Sequence, residues 1–261
     1  MTLIKHELKQ SWKSLAIWTL SIGFFVVICV LMYPEMEGEM EDVSEMFSSM
    51  GAFTAAFGMD KLNFGTLIGF YAIECGNILG IGGAFFAAIL GVTALAKEEK
   101  ERTAEFLLSH PISRKRIITE KLIAVFLQII LMNVLVFLMS IASVVCIDEE
   151  ILWKELWLLH LAYFFVQVVL AGICFGISAF IRGNGIGAGI GLATMMYFIN
   201  IVANITESAK DLKYLTPFGF AEGADIIANV DLDWKMVSIN ICFAAVGIVA
   251  AYWKYTRKDI R

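Results

Sequence analysis

The sequence predicts an all-α integral membrane protein with six transmembrane helices. Hydrophobic residues make up 59% of the chain and charged residues only 17%, and the mean hydropathy is +0.76. Soluble domains average about 25% charged and 45–50% apolar residues, so this composition departs from theirs in both directions. Only three prolines occur in 261 residues, which suits long uninterrupted helices. No polar segment is long enough for a separate soluble domain, so we expect one membrane domain over residues 1–261.

Six apolar stretches are each long enough to cross a bilayer as a helix, which requires about 20 residues. A strand of a membrane barrel needs only about ten residues of alternating polarity, so strands do not explain these lengths. The first stretch lacks a small-residue cleavage site, and we interpret it as an uncleaved span. The stretches are residues 14–33, about 70–96, 122–146, 156–181, 185–205 and 236–253.

The second and fifth stretches are rich in glycine. Counted from Thr66, the second has about 31 residues, or roughly 46 Å of helix, so its start should lie in the interface or the helix should be broken. Its glycines allow bending or close helix contact, namely Gly76, Gly80, Gly82 and Gly83. The fifth stretch opens with small residues at regular spacing, which predicts close packing against another helix, within the subunit or across a dimer. These residues are Gly185, Gly187, Gly189 and Gly191.

Basic residues are distributed unevenly between the connections, which predicts the orientation of the chain. Of the 20 Lys and Arg residues, fifteen lie in the N-terminal segment, the second and fourth connections and the C-terminal tail. The other five lie in the remaining connections, at Lys61, Lys154, Lys210, Lys213 and Lys235. Because positively charged connections stay inside, we expect both termini in the cytoplasm.

The cysteines and methionines of the sequence give little support to a metal site or to thiol chemistry. The five cysteines lie in or beside apolar stretches and form no C-x-x-C pair, so we interpret them as small buried side chains. Between the first two spans, acidic residues alternate with the methionines Met36, Met40, Met46 and Met50. These methionines could bind a soft metal such as Cu(I), or form the apolar stripe of a short interfacial helix. We assign no metal ligands and no catalytic residues.

The connection between the second and third spans combines high charge with an amphipathic pattern. It begins at Lys97 and reads KEEKERTAEFLLSHPISRKRIITEK. Pro111 disfavours helix at the residue before it, and Ser113 is placed to cap the next helix. A charged, helix-sized amphipathic block in so apolar a chain predicts docking to a partner.

This connection resembles that of the type-2 ABC exporter permease family. Members typically show an acidic pair, Gly-Thr, a Leu-Leu pair, a Pro-(Val/Ile)-Ser-Arg turn and Gly-Lys-Leu-x-Ala. The chain matches at Glu98-Glu99, Thr103, Leu107-Leu108, Pro111-Ile112-Ser113-Arg114 and Lys121-Leu122-Ile123-Ala124. It departs at Arg102 and Glu120, where the family often has glycine. Residues 3–8, 216–222 and 255–260 also resemble family segments, so the likeness spans nearly the whole chain.

The resemblance implies six helices per subunit and a dimer of permeases, identical or related, on two copies of an ABC ATPase subunit. It implies a connecting helix over residues 3–13 on the cytoplasmic surface and a partly re-entrant extracytoplasmic segment around 216–227. It also implies that residues 98–112 form the cytoplasmic coupling helix, with coupling residues Glu98, Glu99, Arg102, Thr103, Glu105, Phe106, Leu107, Leu108 and Pro111. The sequence has no G-x-x-x-x-G-K-[ST] loop, so we expect no cofactor in this chain, with ATP and Mg on the partner.

Polar residues within or beside the spans are the candidates for a substrate pathway. Glu74 is the single charged side chain in the six stretches, and we expect it near the outer end of its span. It could contact a cation or the substrate, or it could be an interfacial carboxylate or form a hydrogen bond between helices. Buried amides more often hydrogen-bond between helices than bind substrate. The candidates are Glu74, Asn133, Asn200 and Glu222.

We predict that the chain is the permease subunit of an ATP-driven exporter. We expect it in the cell membrane of a bacterium or archaeon, in contact with lipid and with no nucleic acid partner. A secondary transporter or channel is the alternative, but it predicts several charged groups within the spans. A membrane enzyme is a third class, for which the sequence shows no H-E-x-x-H, paired carboxylates or Ser/His pair. A peptide, a lipid, a drug or a metal-linked cargo is compatible with the sequence.

Overall fold

The chain forms a bundle of helices. A computed structural model describes residues 2–49, 51–97, 113–181 and 183–257. Within these residues, six helical stretches are long and apolar enough to cross a membrane, which confirms the predicted fold class. They are Leu3–Met36, Leu67–Thr93, Arg114–Cys146, Trp153–Ser178, Ile186–Ile205 and Trp234–Arg257.

The first helix, α1 (Thr2–Ser49), is far longer than its membrane span. Residues 3–13 are its first turns, so they are helical and continuous with the first span; their place on the cytoplasmic surface stays a prediction. The helix also continues through Pro34 into the methionine-rich segment, for which a short interfacial helix was one of the two interpretations. Of the four methionines, Met36 is half-buried and Met46 is exposed, and a soft-metal site there stays a prediction.

The second span is one continuous helical stretch, Leu67–Thr93, with a π-helical turn within it, so the described residues show no break; a start in the interface stays a prediction. After the short α2 (Ala52–Ala56) and a 3-10 turn (Met59–Lys61), α3 (Leu67–Asn77) leads into a π-helical turn (Ile78–Gly82) and α4 (Gly83–Thr93). A π-turn widens the helix locally and often marks a functional position. The Thr66 hydroxyl caps α3 by accepting from the Gly69 backbone N–H.

The remaining spans are α5 (Arg114–Cys146), α6 (Trp153–Ser178), α7 (Ile186–Ile205) and, after a short α8 (Gly223–Asn229), α9 (Trp234–Arg257). The central helix is α6, with 72% of its most apolar stretch buried against 22% for α7 and α9. It packs between α4 and α9. A Cβ on Gly172 would lie 2.7 Å from the Ala244 Cβ, and a Cβ on Gly247 would lie 2.8 Å from the Gly172 carbonyl oxygen. Glycine therefore permits this contact between α6 and α9.

The four glycines that open α7 divide between two faces. Gly185 and Gly189 pack against Val92 of α4, so their small size serves contact within the subunit. A Cβ on Gly187 or Gly191 would meet no other atom within 4 Å, so these two lie on an open face.

The segment between α7 and α9 consists of short helical pieces. A 3-10 helix (Glu207–Leu215), a second one (Pro217–Phe220) and α8 follow one another. The buried Thr216 hydroxyl donates to the Met196 carbonyl (2.8 Å), which lies midway along α7. The segment is therefore folded back along the bundle, while its re-entry into the bilayer stays a prediction.

The five cysteines do not all share one environment. Cys75 and Cys174 are buried and Cys29 is half-buried, as expected. The expectation is wrong for Cys146 and Cys242, which are exposed because their positions on α5 and α9 face away from the bundle. All five are free thiols.

Candidate functional site

One end of the bundle holds the start of α1, the start of α5 and the end of α9; we call it the terminal end. Here the Lys121 ammonium lies 2.9 Å from a Glu7 carboxylate oxygen and donates to the Ala94 carbonyl at the same distance. The Lys121 side chain is 1% exposed and that of Glu7 is 15% exposed, so the ion pair is largely withdrawn from solvent. It ties α1, the end of the second span and α5 together.

The start of α5 is also bound to the end of α9. Arg114 donates to the backbone carbonyls of Tyr255 and Thr256 (3.5 and 3.4 Å). The Thr119 and Tyr252 hydroxyls lie 2.7 Å apart. The Ser113 hydroxyl accepts from the Arg116 backbone N–H and caps the helix, which confirms the predicted N-cap.

The residues predicted to couple to an ATPase lie outside the described residues. The connection begins after Lys97 and ends before Ser113, and both of these residues belong to the terminal end. The coupling role therefore stays a prediction for Glu98, Glu99, Arg102, Thr103, Glu105, Phe106, Leu107, Leu108 and Pro111.

The opposite end of the bundle, which we call the far end, carries a second buried ion pair. The Lys213 ammonium lies 2.7 Å from one Glu222 oxygen, and the Asn200 amide donates to the other (3.4 Å). The Lys213 and Glu222 side chains are 11% and 9% exposed. Burial raises the pKa of the Glu222 carboxyl above its ordinary value, while the Lys213 ammonium acts in the opposite direction. The pair joins the 3-10 helix after α7 to the start of α8.

A cavity of about 70 Å³ adjoins this ion pair. Asn200, Asn204 and Glu222 line it from the far end, and Tyr197 and Tyr163 line it from α7 and α6. Tyr197 donates to the Asn77 amide oxygen (3.3 Å), just before the π-turn. The Asn200 amide oxygen is buried and has no partner among the described residues, so the cavity offers an acceptor for a small polar molecule.

The structure brings together two of the four predicted pathway residues, Asn200 and Glu222. Asn133 lies in a separate contact, where its amide donates to the Gln167 carbonyl oxygen (2.7 Å) between α5 and α6. Glu74 is half-buried on α3 and does not line the cavity. The assignment of these four residues to a pathway stays a prediction.

Sequence reasoning missed a buried polar cluster between α3, α5 and α6. The Tyr71 hydroxyl donates to Ser140 (2.8 Å) and lies 2.8 Å from His160 Nε2. All three side chains are buried. The signal available in the sequence was a histidine, His160, within an apolar stretch, near its start.

A family model described as "ABC-2 family transporter protein" matches residues 1–260 of the chain. No curated protein matches it. The match agrees with six apolar spans and with the family features in the connection before α5. The chain therefore belongs to the ABC-2 family, and it is a multi-pass membrane protein that forms the permease of an ABC transporter.

Proposed function

We propose that this chain is the permease of an exporter driven by ATP that a separate subunit hydrolyses. Two copies of the ATPase, which carry ATP and Mg, act on two permease subunits. Residues 98–112 form the coupling helix in a cleft of the ATPase. Both termini lie in the cytoplasm of a bacterium or archaeon, so the terminal end of the bundle faces the ATPase.

The observation that carries this proposal is the Lys121–Glu7 ion pair. Lys121 lies eight residues after Ser113, at the base of the helix that leaves the connection, and its ammonium is bound both to α1 and to the Ala94 carbonyl. Arg114 binds the same helix to the end of α9. A displacement of residues 98–112 is therefore passed to α1, α5 and α9 together, which is what coupling to ATP hydrolysis requires.

The open face of α7 is where we place the second permease subunit. Gly187 and Gly191 lie four residues apart with free space over both, and Met195 and Phe198 are exposed below them. Two helices that approach through such small residues gain close van der Waals contact in a bilayer.

The far-end ion pair fits the role of a closure on the outer side of the pathway. The pair Lys213–Glu222 joins two of the short helical pieces, and the hydrogen bond from Asn200 connects Glu222 to α7. Breaking the pair would release this segment while leaving the spans in place. The candidate pathway residues Asn200 and Glu222 are both part of this closure.

Co-purification tests the proposal against its alternative. An affinity-tagged chain, extracted from its native membrane in mild detergent, should bring down an ATPase, and transport by the reconstituted complex should require ATP hydrolysis. A secondary transporter or channel would instead carry substrate in vesicles that contain this chain alone. Transport by the chain alone, without nucleotide, would overturn the proposal.

A further inference from the structure

The first turns of α1 carry three lysines on the side of the helix that faces away from the bundle. Lys5, Lys9 and Lys13 follow one another at intervals of four residues, and all three are exposed. Residues four apart lie one above another on the same side of a helix. None of the three forms a hydrogen bond or an ion pair with another described residue. We call this row, about 12 Å long, the basic stripe.

The acidic residue in these turns does not offset the basic stripe. Glu7 is the only Asp or Glu among residues 2–13. Its carboxylate is turned towards the bundle, where the Lys121 ammonium lies 2.9 Å from it, and its side chain is 15% exposed. The outward side of these turns therefore carries positive charge without negative charge.

The basic stripe continues directly into the side of α1 that faces lipid. Ile17, Leu20 and Phe24 are 64%, 64% and 57% exposed, although they lie within a membrane span. They follow Lys9 and Lys13 at intervals of three and four residues, which keeps all five on one side of the helix. The side of α1 that meets lipid tails within the bilayer therefore carries the lysines where the helix leaves it.

Trp12 marks the depth at which the basic stripe meets the bilayer surface. It is 57% exposed, and exposed tryptophans of membrane helices gather at the interface. Lys9 lies about 6 Å further along the helix than Lys13, and the headgroup layer is about 5–8 Å thick on each side of the hydrocarbon. Helical side chains tilt towards the N-terminus, so the Lys13 ammonium extends from the edge of the hydrocarbon into this layer.

We propose that the basic stripe binds the headgroups of anionic phospholipids in the leaflet at the terminal end of the bundle. Their phosphate oxygens accept hydrogen bonds from the ammonium groups, and their net negative charge is not cancelled within the headgroup, as it is in a zwitterionic lipid. The continuity of the stripe with Ile17, Leu20 and Phe24 favours lipid over a docked protein, which would have to reach the stripe through the headgroup layer. This inference does not depend on ATP-driven export.

A matched pair of photoreactive lipids tests the proposal on the full chain in phosphatidylcholine nanodiscs. A phosphatidylglycerol and a phosphatidylcholine carry the same photoreactive acyl chain, so they differ only in the headgroup. Each is added as a minor component to a separate preparation, and cross-links to residues 3–17 are quantified by mass spectrometry. One lysine near an anionic surface is worth about fivefold in binding. We expect the phosphatidylglycerol to label this segment at least about fivefold more than the phosphatidylcholine.

Two triple variants separate the basic stripe from the overall charge of the protein. Lys5→Gln, Lys9→Gln and Lys13→Gln together should make the two lipids label residues 3–17 nearly equally.

The control variant removes the same charge at the far end, by replacing three exposed lysines with glutamine, and should leave the preference at residues 3–17 unchanged. These changes are Lys154→Gln, Lys210→Gln and Lys235→Gln. A preference that persists in the stripe variant would overturn the proposal.

Added salt distinguishes a lipid headgroup from free phosphate. Raising the ionic strength from about 0.1 M to about 1 M shortens the screening length from about 10 Å to about 3 Å, so the preference should fall. Sodium phosphate should lower it no more than sodium chloride of equal ionic strength. A larger effect of phosphate would show that the stripe binds the free anion and would overturn the proposal. Equal labelling by the two lipids in the unaltered protein would also overturn it, whatever the variants do.

Discussion

The Lys121 ammonium lies 2.9 Å from the Glu7 carboxylate although 114 residues separate the two in the sequence. The contact joins the first helix to the helix that leaves the predicted coupling connection. Because the pair is largely buried, water solvates neither charge fully, and each charge is stabilised by the other.

Replacing Lys121 with Met should therefore destabilise the protein by about 3–5 kcal/mol, because Glu7 is left without its counter-charge in a largely buried place. The free energy of unfolding, followed by helical circular dichroism during titration with a denaturing detergent, measures the loss. The double variant Lys121→Met with Glu7→Gln should recover part of it, since no unpaired charge remains.

Lys61→Met is the matched control. Lys61 pairs with Asp225 at 3.5 Å, and the two side chains are 55% and 49% exposed. Exposed pairs contribute about 0–1 kcal/mol, so this variant should unfold close to the unaltered protein. Equal losses of unfolding free energy in the two variants would show that burial does not strengthen the contribution of the Lys121–Glu7 pair.

Glycine-to-alanine substitutions should separate the packed glycines from the open ones. At Gly172 the new methyl group would press on Ala244, and overpacking of this kind costs about 1–3 kcal/mol. At Gly187 the methyl group meets open space, so the change should lie within about 1 kcal/mol. Unfolding titrations of both variants compare them, and a larger loss at Gly187 would contradict the packing of α6 on α9.

The far-end ion pair should control the local stability of the short helical pieces. Glu222→Gln leaves the Lys213 ammonium buried without a counter-charge, which destabilises this segment by about 3 kcal/mol. Hydrogen exchange should accelerate in residues 207–229 and stay unchanged in α6. Asp225→Asn is the control, because the Lys61–Asp225 pair is about half exposed. If hydrogen exchange in residues 207–229 is unchanged in Glu222→Gln, the ion pair does not hold this segment closed.

The predicted orientation is testable by cysteine labelling. The five native cysteines are first replaced, and single cysteines are introduced at Lys115 and at Lys61. The fifteen-to-five division of basic residues predicts that a membrane-impermeant reagent labels position 61 in intact cells and position 115 only after lysis. Labelling of position 115 from outside would invert the topology.

Most of the fold was predictable because a bilayer imposes length and apolarity on every span. The six stretches and the Ser113 cap follow from local patterns in the sequence. The continuation of α1 through Pro34 was not predicted, since proline ordinarily weakens a helix interior.

Contacts between distant residues could not be predicted in the same way. Lys121 was counted among the basic residues of a connection, and only the packing of α1 beside α5 makes it the partner of Glu7. Glu222 and Asn200 were named separately, and Lys213 was counted as an outer-loop charge; the fold makes them one cluster. Pairing of charges across helices depends on helix rotation, which a single sequence does not determine.

The central claim is that residues 98–112 dock this permease onto an ATPase, and one paired measurement tests it most directly. Leu107 and Leu108 are replaced together by Asp, and the same preparation is assayed for bound ATPase and for its elution profile in detergent solution. Each apolar side chain lost from a cleft removes about 1.5–3 kcal/mol of binding free energy. We predict that ATPase binding and ATP-dependent export fall sharply while the permease still inserts and elutes as a single species. Full retention of the ATPase with unchanged transport would contradict the account.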